Sequence, residues 1–420
     1  MYNVSTLNNG LTVATAEMPH MTSVSVGLWV GVGSRYEPQE WNGVCHFIEH
    51  LVFKGTQKRS AKEISEAVEG VGGYLNAFTS EEATCFHARA CHDRLEELLD
   101  VLMDMLLHSK FAPADIGKER EVIKEEIAMY LDQPQHQVQE VLNETLWPDQ
   151  PLGRPITGTE QTLDGLNRGR LVSYLRGSYV ARSTVVVAAG RVSHRRLVRA
   201  VQSYARHFGT GLRPQCPSVR EEQTRPAIRL VTKQTEQTQM ALGLRAFSRH
   251  DVRRYSLRLL NTILGENMSS RLFQIIREDR GLAYSIYSSP SYFDDTGDLV
   301  ISAGMDTDNL AKTLNLVVRE LRRLADTAPD GQELRRARDF VIGQMELGQE
   351  STDNQMNWVG EQLLGYGRIF SLNQVKRRLR QVTRNEIRQA AHDLFRPERM
   401  NLALVSPLKS VKFAEKILRT

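Results

Sequence analysis

The stretch "LAYSIYSSPSYFDDTGDLVISAGMD" (residues 282–306) sets two runs rich in Tyr, Ile, Val and Ser about an acidic turn, the pattern of a β-hairpin. A second stretch, "YLNAFTSEEATCFHARA" (74–90), has the same form, with polar Thr79–Glu82 at its turn. Working outward, each hairpin sits in the same order of elements. Ahead of the later one lie strands in "IRLVTKQTEQTQMALGLRAF" (228–247) and an apolar helix with its exit in "RRYSLRLLNTILGENMSSRLFQIIRE" (253–278); a long helix, "LAKTLNLVVRELRRLAD" (310–326), follows. Ahead of the earlier one lies "TSVSVGLWVGVGSR" (22–35), where Val24, Val26, Leu28, Val30 and Val32 alternate with the period of a half-buried strand. "SAKEISEAVEGVGG" (60–73) then carries Ser60 and Glu63 in a capping-box pattern, and "HDRLEELLDVLMDMLLHSKF" (92–111) is a leucine-rich helix. Strand, helix, hairpin, helix is therefore made twice, with weak residue identity between the copies. Such runs predict an α+β fold of two similar domains, each a mostly antiparallel sheet with helices packed on one face.

Between the copies, "GTGLRPQCPSVREEQTRP" (209–226) holds three prolines and two glycines among polar residues, the composition of a linker. The expected division is 1–212, a linker at 213–226, and 227–420. A chain of 420 residues that is 41% hydrophobic is long enough for two cores. Its 54 Lys and Arg against 50 Asp and Glu are interspersed, so no nucleic-acid or membrane partner is expected. The locally basic "GRVSHRRLVRAV" (190–201) flanks apolar residues like an amphipathic surface helix. No signal-peptide pattern or long apolar run is present, and the four cysteines form no CxxC pair; a cytoplasmic protein with reduced thiols is expected.

The chemistry concentrates in "GVCHFIEHLVFKGT" (43–56), where an apolar helical run carries His46, Glu49 and His50. Four residues apart on a helix, the two imidazoles project from one face, a spacing that suits two ligands of one Zn²⁺. Glu49 falls beside them, placed to act as general base on a water at such a metal. The letters spell H-x-x-E-H, the inverse of the commoner zinc-protease order. A catalytic zinc needs a third protein ligand, and "KEREVIKEEIAMYL" (118–131) offers it: Glu119 and Glu126 stand two turns apart, with Val122, Ile123 and Ile127 to bury the adjoining face. Composition does not choose among Glu119, Glu121, Glu125 and Glu126.

In order along the chain, "GSRYEP", "GVCHFIEHLVFKGT", "GGYLNAFTSEEATCFHARA" and "EREVIKEEI" resemble the pitrilysin and insulinase family of zinc peptidases, most closely its bacterial and mitochondrial-processing-peptidase-like branch. The resemblance implies Glu126 as third zinc ligand, Glu119 as the outer acid and Glu49 as the base. It implies an edge strand at Asn76, Ala77 and Phe78 onto which peptide adds as a further strand. From "REDRGLAY" it implies that Arg277 and Tyr284 hold substrate and stabilise the oxyanion; alternation alone reads Tyr284 as a core-facing strand residue. Four such domains enclose a chamber in the family, which implies a homodimer or a heterodimer with a related subunit. Some members keep the fold and lose the metal site, so a non-catalytic partner subunit is the alternative reading. Cys45 departs from the small residue usual before the first histidine and reads as packed into the helix. "LLNTILGENMSSRLF" (259–273), where the second copy has its helix, contains no histidine, so that copy holds no metal in this way.

Overall fold

In the computed structural model, which describes residues 2–419, the two hairpins are formed and the expected repeat is visible as strand topology. The first sheet contains β1 (Tyr2–Thr6), β2 (Thr12–Glu17), β3 (Ser23–Val30), β4 (Tyr74–Thr79), β5 (Thr84–Cys91) and β6 (Thr184–Gly190), in the order β1-β2-β6-β3-β5-β4. The second contains β7 (Ala227–Thr232), β8 (Thr238–Ala246), β9 (Ser285–Tyr292), β10 (Gly297–Met305) and β11 (Met400–Ser406), in the order β7-β11-β8-β10-β9. With β1 set aside, the orders coincide strand for strand. Even the single parallel pair recurs, β2 with β6 and β7 with β11; the remaining neighbours are antiparallel. The fold is α+β.

Each sheet carries its main core on one face. In the first, Val24, Val26, Leu28, Phe86, Ala88 and Val186 pack with the helices Val44–Val52 and Leu95–His108. The basic stretch forms the helix His194–Ala205, which buries Leu197 and Val201 and exposes most of its charges, as its amphipathic pattern requires.

Helices on one face only is an incomplete description, because each sheet also receives one helix on its other face. Thr352–Tyr366 covers the first sheet there, setting Met356, Val359 and Leu363 against Trp29, Ala14 and Val187. Pro134–Leu146 covers the second sheet, setting Val138, Leu142 and Leu146 against Ala241, Ala403 and Val405. Both helices come from the opposite half of the sequence. One compact unit therefore comprises residues 1–127, 154–217 and 347–370, and the other 128–153, 218–346 and 371–420. This differs from a contiguous division at 212 and 227: two segments pack across it. The reason lies in burial. A strand such as Thr184–Gly190 is buried at every position and needs apolar cover on both sides.

Candidate metal centre

The motif helix, Val44–Val52, begins where the chain turns at Gly43 with φ of 92°. A Cβ there would lie 2.7 Å from the Thr157 carbonyl oxygen, so glycine is required for both the angle and the close approach. The amides at the start of the helix that lack an intrahelical partner are met by the buried Glu37, whose Oε2 accepts from Gly43 N at 2.7 Å and whose Oε1 accepts from Cys45 N at 2.8 Å. Burial pushes the Glu37 carboxyl up, and these bonds, with one from Asn42 Nδ2, oppose that rise. Cys45 is fully buried, its thiol 3.4 Å from the Tyr174 hydroxyl, in keeping with the packed role expected of it.

His46 and His50 emerge from this helix with ring centroids 4.7 Å apart. Glu126, on the helix Pro113–Asp132, brings Oε2 to 3.7 Å from His46 Nε2 and 3.6 Å from His50 Nε2. One ligand atom from each of the three residues lies within 4.8 Å of the others, and among the described residues no other such group of His, Cys, Asp or Glu occurs. Tetrahedral ligands at about 2.0 Å from Zn²⁺ stand about 3.3 Å apart, so a small inward movement completes the geometry. Two imidazoles and one carboxylate are also the donor set of a catalytic zinc, which leaves a position for water. The residues fit the ion. Burial, with His50 adding to it, lowers the His46 pKa to about 4 against the pull of Glu126; the ring is neutral at pH 7, the form a ligand requires.

Around these three, further contacts are built. His50 Nδ1 lies 3.2 Å from Glu119 Oε2, and Lys54 Nζ lies 2.8 Å from Glu119 Oε1. Glu119 is 5% exposed, whereas Glu121 and Glu125 face solvent, so the fold makes the choice that composition left open. Val122 does not bury the adjoining face; it is 48% exposed, and Ile116 and Ile123 do that work. Glu49 projects beside the histidines and its Oε2 accepts from Thr79 Oγ1 at 2.6 Å. Burial raises its pKa, and the Thr79 bond opposes the rise. Thr79, which the sequence places only in a turn, ends β4. It shares a face with Leu75 and Ala77, and period-two alternation from those residues would have aimed it at the motif helix.

β4 is the edge strand of its sheet, so Asn76, Ala77 and Phe78 lie where a further strand can pair. Phe78 packs edge-on against Trp29 at 5.4 Å. The Asn76 side chain is turned onto its own strand, donating to Tyr74 Oη and accepting from Ala77 N at 2.8 Å.

In the second unit, Tyr284 is not a core residue: it precedes β9, is 75% exposed, and its backbone N–H donates to the Gly304 carbonyl. The Arg277 guanidinium lies 5.7 Å from its ring centroid and 4.8 Å from that of Phe273, so the fold brings Arg277 and Tyr284 together. The four cysteines are unbridged, and no helix among the described residues is long and apolar enough to cross a membrane.

Two family profiles match the chain, "Insulinase (Peptidase family M16)" over residues 12–160 and "Peptidase M16 inactive domain" over residues 165–341. An uncharacterized zinc protease of Streptomyces coelicolor is 38% identical over 411 residues, spanning 96% of this chain and 89% of its own length. Its counterpart in Bacillus subtilis is 36% identical over 408 residues, spanning 96% and 97%. One from Mycobacterium tuberculosis is 37% identical over 421 residues, spanning 99% and 95%. Among solved structures, a protease from Helicobacter pylori is similar with a TM-score of 0.91 at 20% identity, covering 97% of this chain and 99% of that one. A peptidase M16 inactive domain from Pseudomonas fluorescens gives 0.90 at 17%, covering 98% and 99%. At these identities the structural likeness speaks for the fold.

Proposed function

This chain belongs to the M16 (insulinase) family of peptidases, and on that premise we propose that it is a zinc-dependent endopeptidase acting on oligopeptides or extended segments of polypeptide. The observation that carries the reading is the convergence of His46, His50 and Glu126, with the Glu49 carboxylate held beside them by Thr79. Those three residues would hold Zn²⁺, which supplies a Lewis acid that lowers the pKa of water and polarises a carbonyl.

Glu49 takes a proton from the attacking water onto a carboxylate oxygen and returns it to the leaving amine. Its raised pKa suits both halves of that exchange. Glu119 fixes the His50 ring through Nδ1, so that Nε2 is the ligating nitrogen. Extended substrate adds to β4 at Asn76, Ala77 and Phe78, held by backbone hydrogen bonds. Arg277 and Tyr284 take the roles that the family resemblance gives them, donating to the substrate and its oxyanion. Completing a chamber calls for a second copy of this chain or a related subunit, and we place the protein in the cytoplasm.

The alternative, a non-catalytic subunit, has no use for a base beside the ligands. Cleavage of quenched fluorescent peptides by the purified chain decides between them. Chelator-sensitive cleavage that zinc restores, lost in Glu49→Gln at near-normal zinc content, supports the enzyme. Full zinc loading with no cleavage, alone or with a related subunit, sinks it.

A further inference from the structure

The unit formed by residues 128–153, 218–346 and 371–420 contains a cavity of about 660 Å³ lined in part by the linker segment and by none of the residues assigned above. That volume is ordinary for a small-ligand site. Four of its lining side chains are buried polar groups, Thr145 and Gln150 at 7% exposure, Arg245 at 5% and Asn401 at 0%. The Arg245 guanidinium donates to the carbonyl oxygens of Leu146 and Arg220, both neutral acceptors. Its ion-pair partner is Glu221, at 3.5 Å and 59% exposed, so the buried positive charge is loosely balanced. Asn401 donates through Nδ2 to Gln223 Oε1 at 3.1 Å and to the Arg399 carbonyl at 2.9 Å, and its Oδ1 has no partner.

The rest of the lining narrows the chemistry. Arg225 and Arg419 are exposed at the cavity, as are Glu222 and Glu415, while Pro226 and Ile228 add apolar surface. A polyanion would meet the two carboxylates, and an apolar ligand would leave all four exposed charges unanswered. A short peptide answers the exposed groups: its carboxylate suits the arginines, its ammonium the glutamates, and a side chain the apolar surface. We propose that this cavity binds a short peptide through its free C-terminal carboxylate. Such peptides are what the proposed reaction releases, so the biological sense of the site rests on that reading, whereas the binding itself needs neither metal nor Glu49.

The test is calorimetry on the full-length Glu49→Gln chain, which keeps peptide intact, using a tripeptide of two alanines and a C-terminal leucine, its C-terminal amide, and inorganic phosphate. Saturable binding is expected, weakened at least about tenfold by amidation and by the double substitution Arg225→Gln with Arg419→Gln, two exposed positions whose loss leaves the fold intact. Absence of binding overturns the proposal. So does equal binding of the amide, or binding unchanged in the double variant, which would place the peptide elsewhere, such as at β4. Phosphate binding as tightly as the peptide and displacing it would show a general anion site and overturn it too. Because the measurement is made without turnover, a failed peptidase reading leaves this result standing, and the reverse.

Discussion

Glu119→Ala removes the acceptor beside His50, one of the three proposed zinc ligands, without touching those ligands themselves. In the native protein Glu119 Oε2 lies 3.2 Å from His50 Nδ1 and Oε1 lies 2.8 Å from Lys54 Nζ, with the carboxylate almost wholly buried. Losing a hydrogen-bond partner of a ligating imidazole costs about 10- to 100-fold in metal affinity, or about 1.4–2.7 kcal/mol. The His50 contact is longer than the roughly 2.7–2.9 Å of a strong charge-assisted bond, so the lower part of that range is expected, about 10- to 30-fold. Glu119→Gln keeps an oxygen for His50 Nδ1 and loses the charge, and about three- to fivefold is expected of it. Lys54→Met breaks a pair whose lysine is 38% exposed and readily resolvated, so zinc affinity should stay within about threefold of the native value. Zinc affinity is measured by competition with chelators of graded strength, alongside urea unfolding of each metal-free variant to separate folding from binding. The reasoning is refuted if Glu119→Ala binds zinc as tightly as the native chain, or if Lys54→Met weakens it as much as Glu119→Ala does.

Three further outcomes are expected. Thr79→Val removes the bond that holds the Glu49 pKa down; the base then needs a higher pH to ionise, and the acidic limb of the pH–rate profile should move up by up to about one unit, while an unmoved limb denies Glu49 the role of base. Gly360→Ala would ordinarily favour a helix, yet its Cβ would fall 2.4 Å from the Trp29 ring, so a loss of about 1–3 kcal/mol in urea unfolding is expected, and a gain in stability would disprove the packing of Thr352–Tyr366 on the first sheet. In the native state a thiol reagent should label the exposed Cys91 quickly and spare the buried Cys45 and Cys85 until denaturant is added; rapid labelling of Cys45 would contradict its burial against Tyr174.

Much of the fold was legible because the repeat is written in element order, which survives when residue identity has gone. The motif helix was legible for another reason: its chemistry lies within five residues, and one helical turn fixes the geometry. Glu126 is legible only through the family resemblance, because a third ligand far along the chain depends on tertiary closure, and four glutamates on one helix look alike until the fold sets Glu119 and Glu126 beside the histidines. The crossed helices were hidden for the same kind of reason. An amphipathic sequence specifies an apolar face, not which sheet will receive it, and both Pro134–Leu146 and Thr352–Tyr366 dock on a sheet from the other half. Tyr284 misled because alternation was extended one residue beyond the strand that begins at Ser285.

At the motif helix and its counterpart the two copies diverge in a few polar side chains as well as in helix form, the second passing into π-helical turns. In the first, the helix after β3 carries two imidazoles, one of them kept neutral by burial, and so offers lone pairs to a cation. In the second, the segment after β8 is the helix Arg254–Asn261 continued through Thr262–Glu266, and its polar positions at 258, 262 and 266 bond to one another: Arg258 Nη2 donates to Glu266 Oε1 at 2.6 Å and Thr262 Oγ1 to Glu266 Oε2 at 2.6 Å. A guanidinium there repels a metal ion, and the carboxylate that would attract one is already bonded. The same five-strand scaffold thus supports a candidate metal centre once and an internally satisfied ion pair once. Introducing imidazoles alone into the second copy should not create a zinc site, because the proposed third ligand of the first copy comes from a separate helix, Pro113–Asp132, and the Arg258–Glu266 pair would still have to be broken.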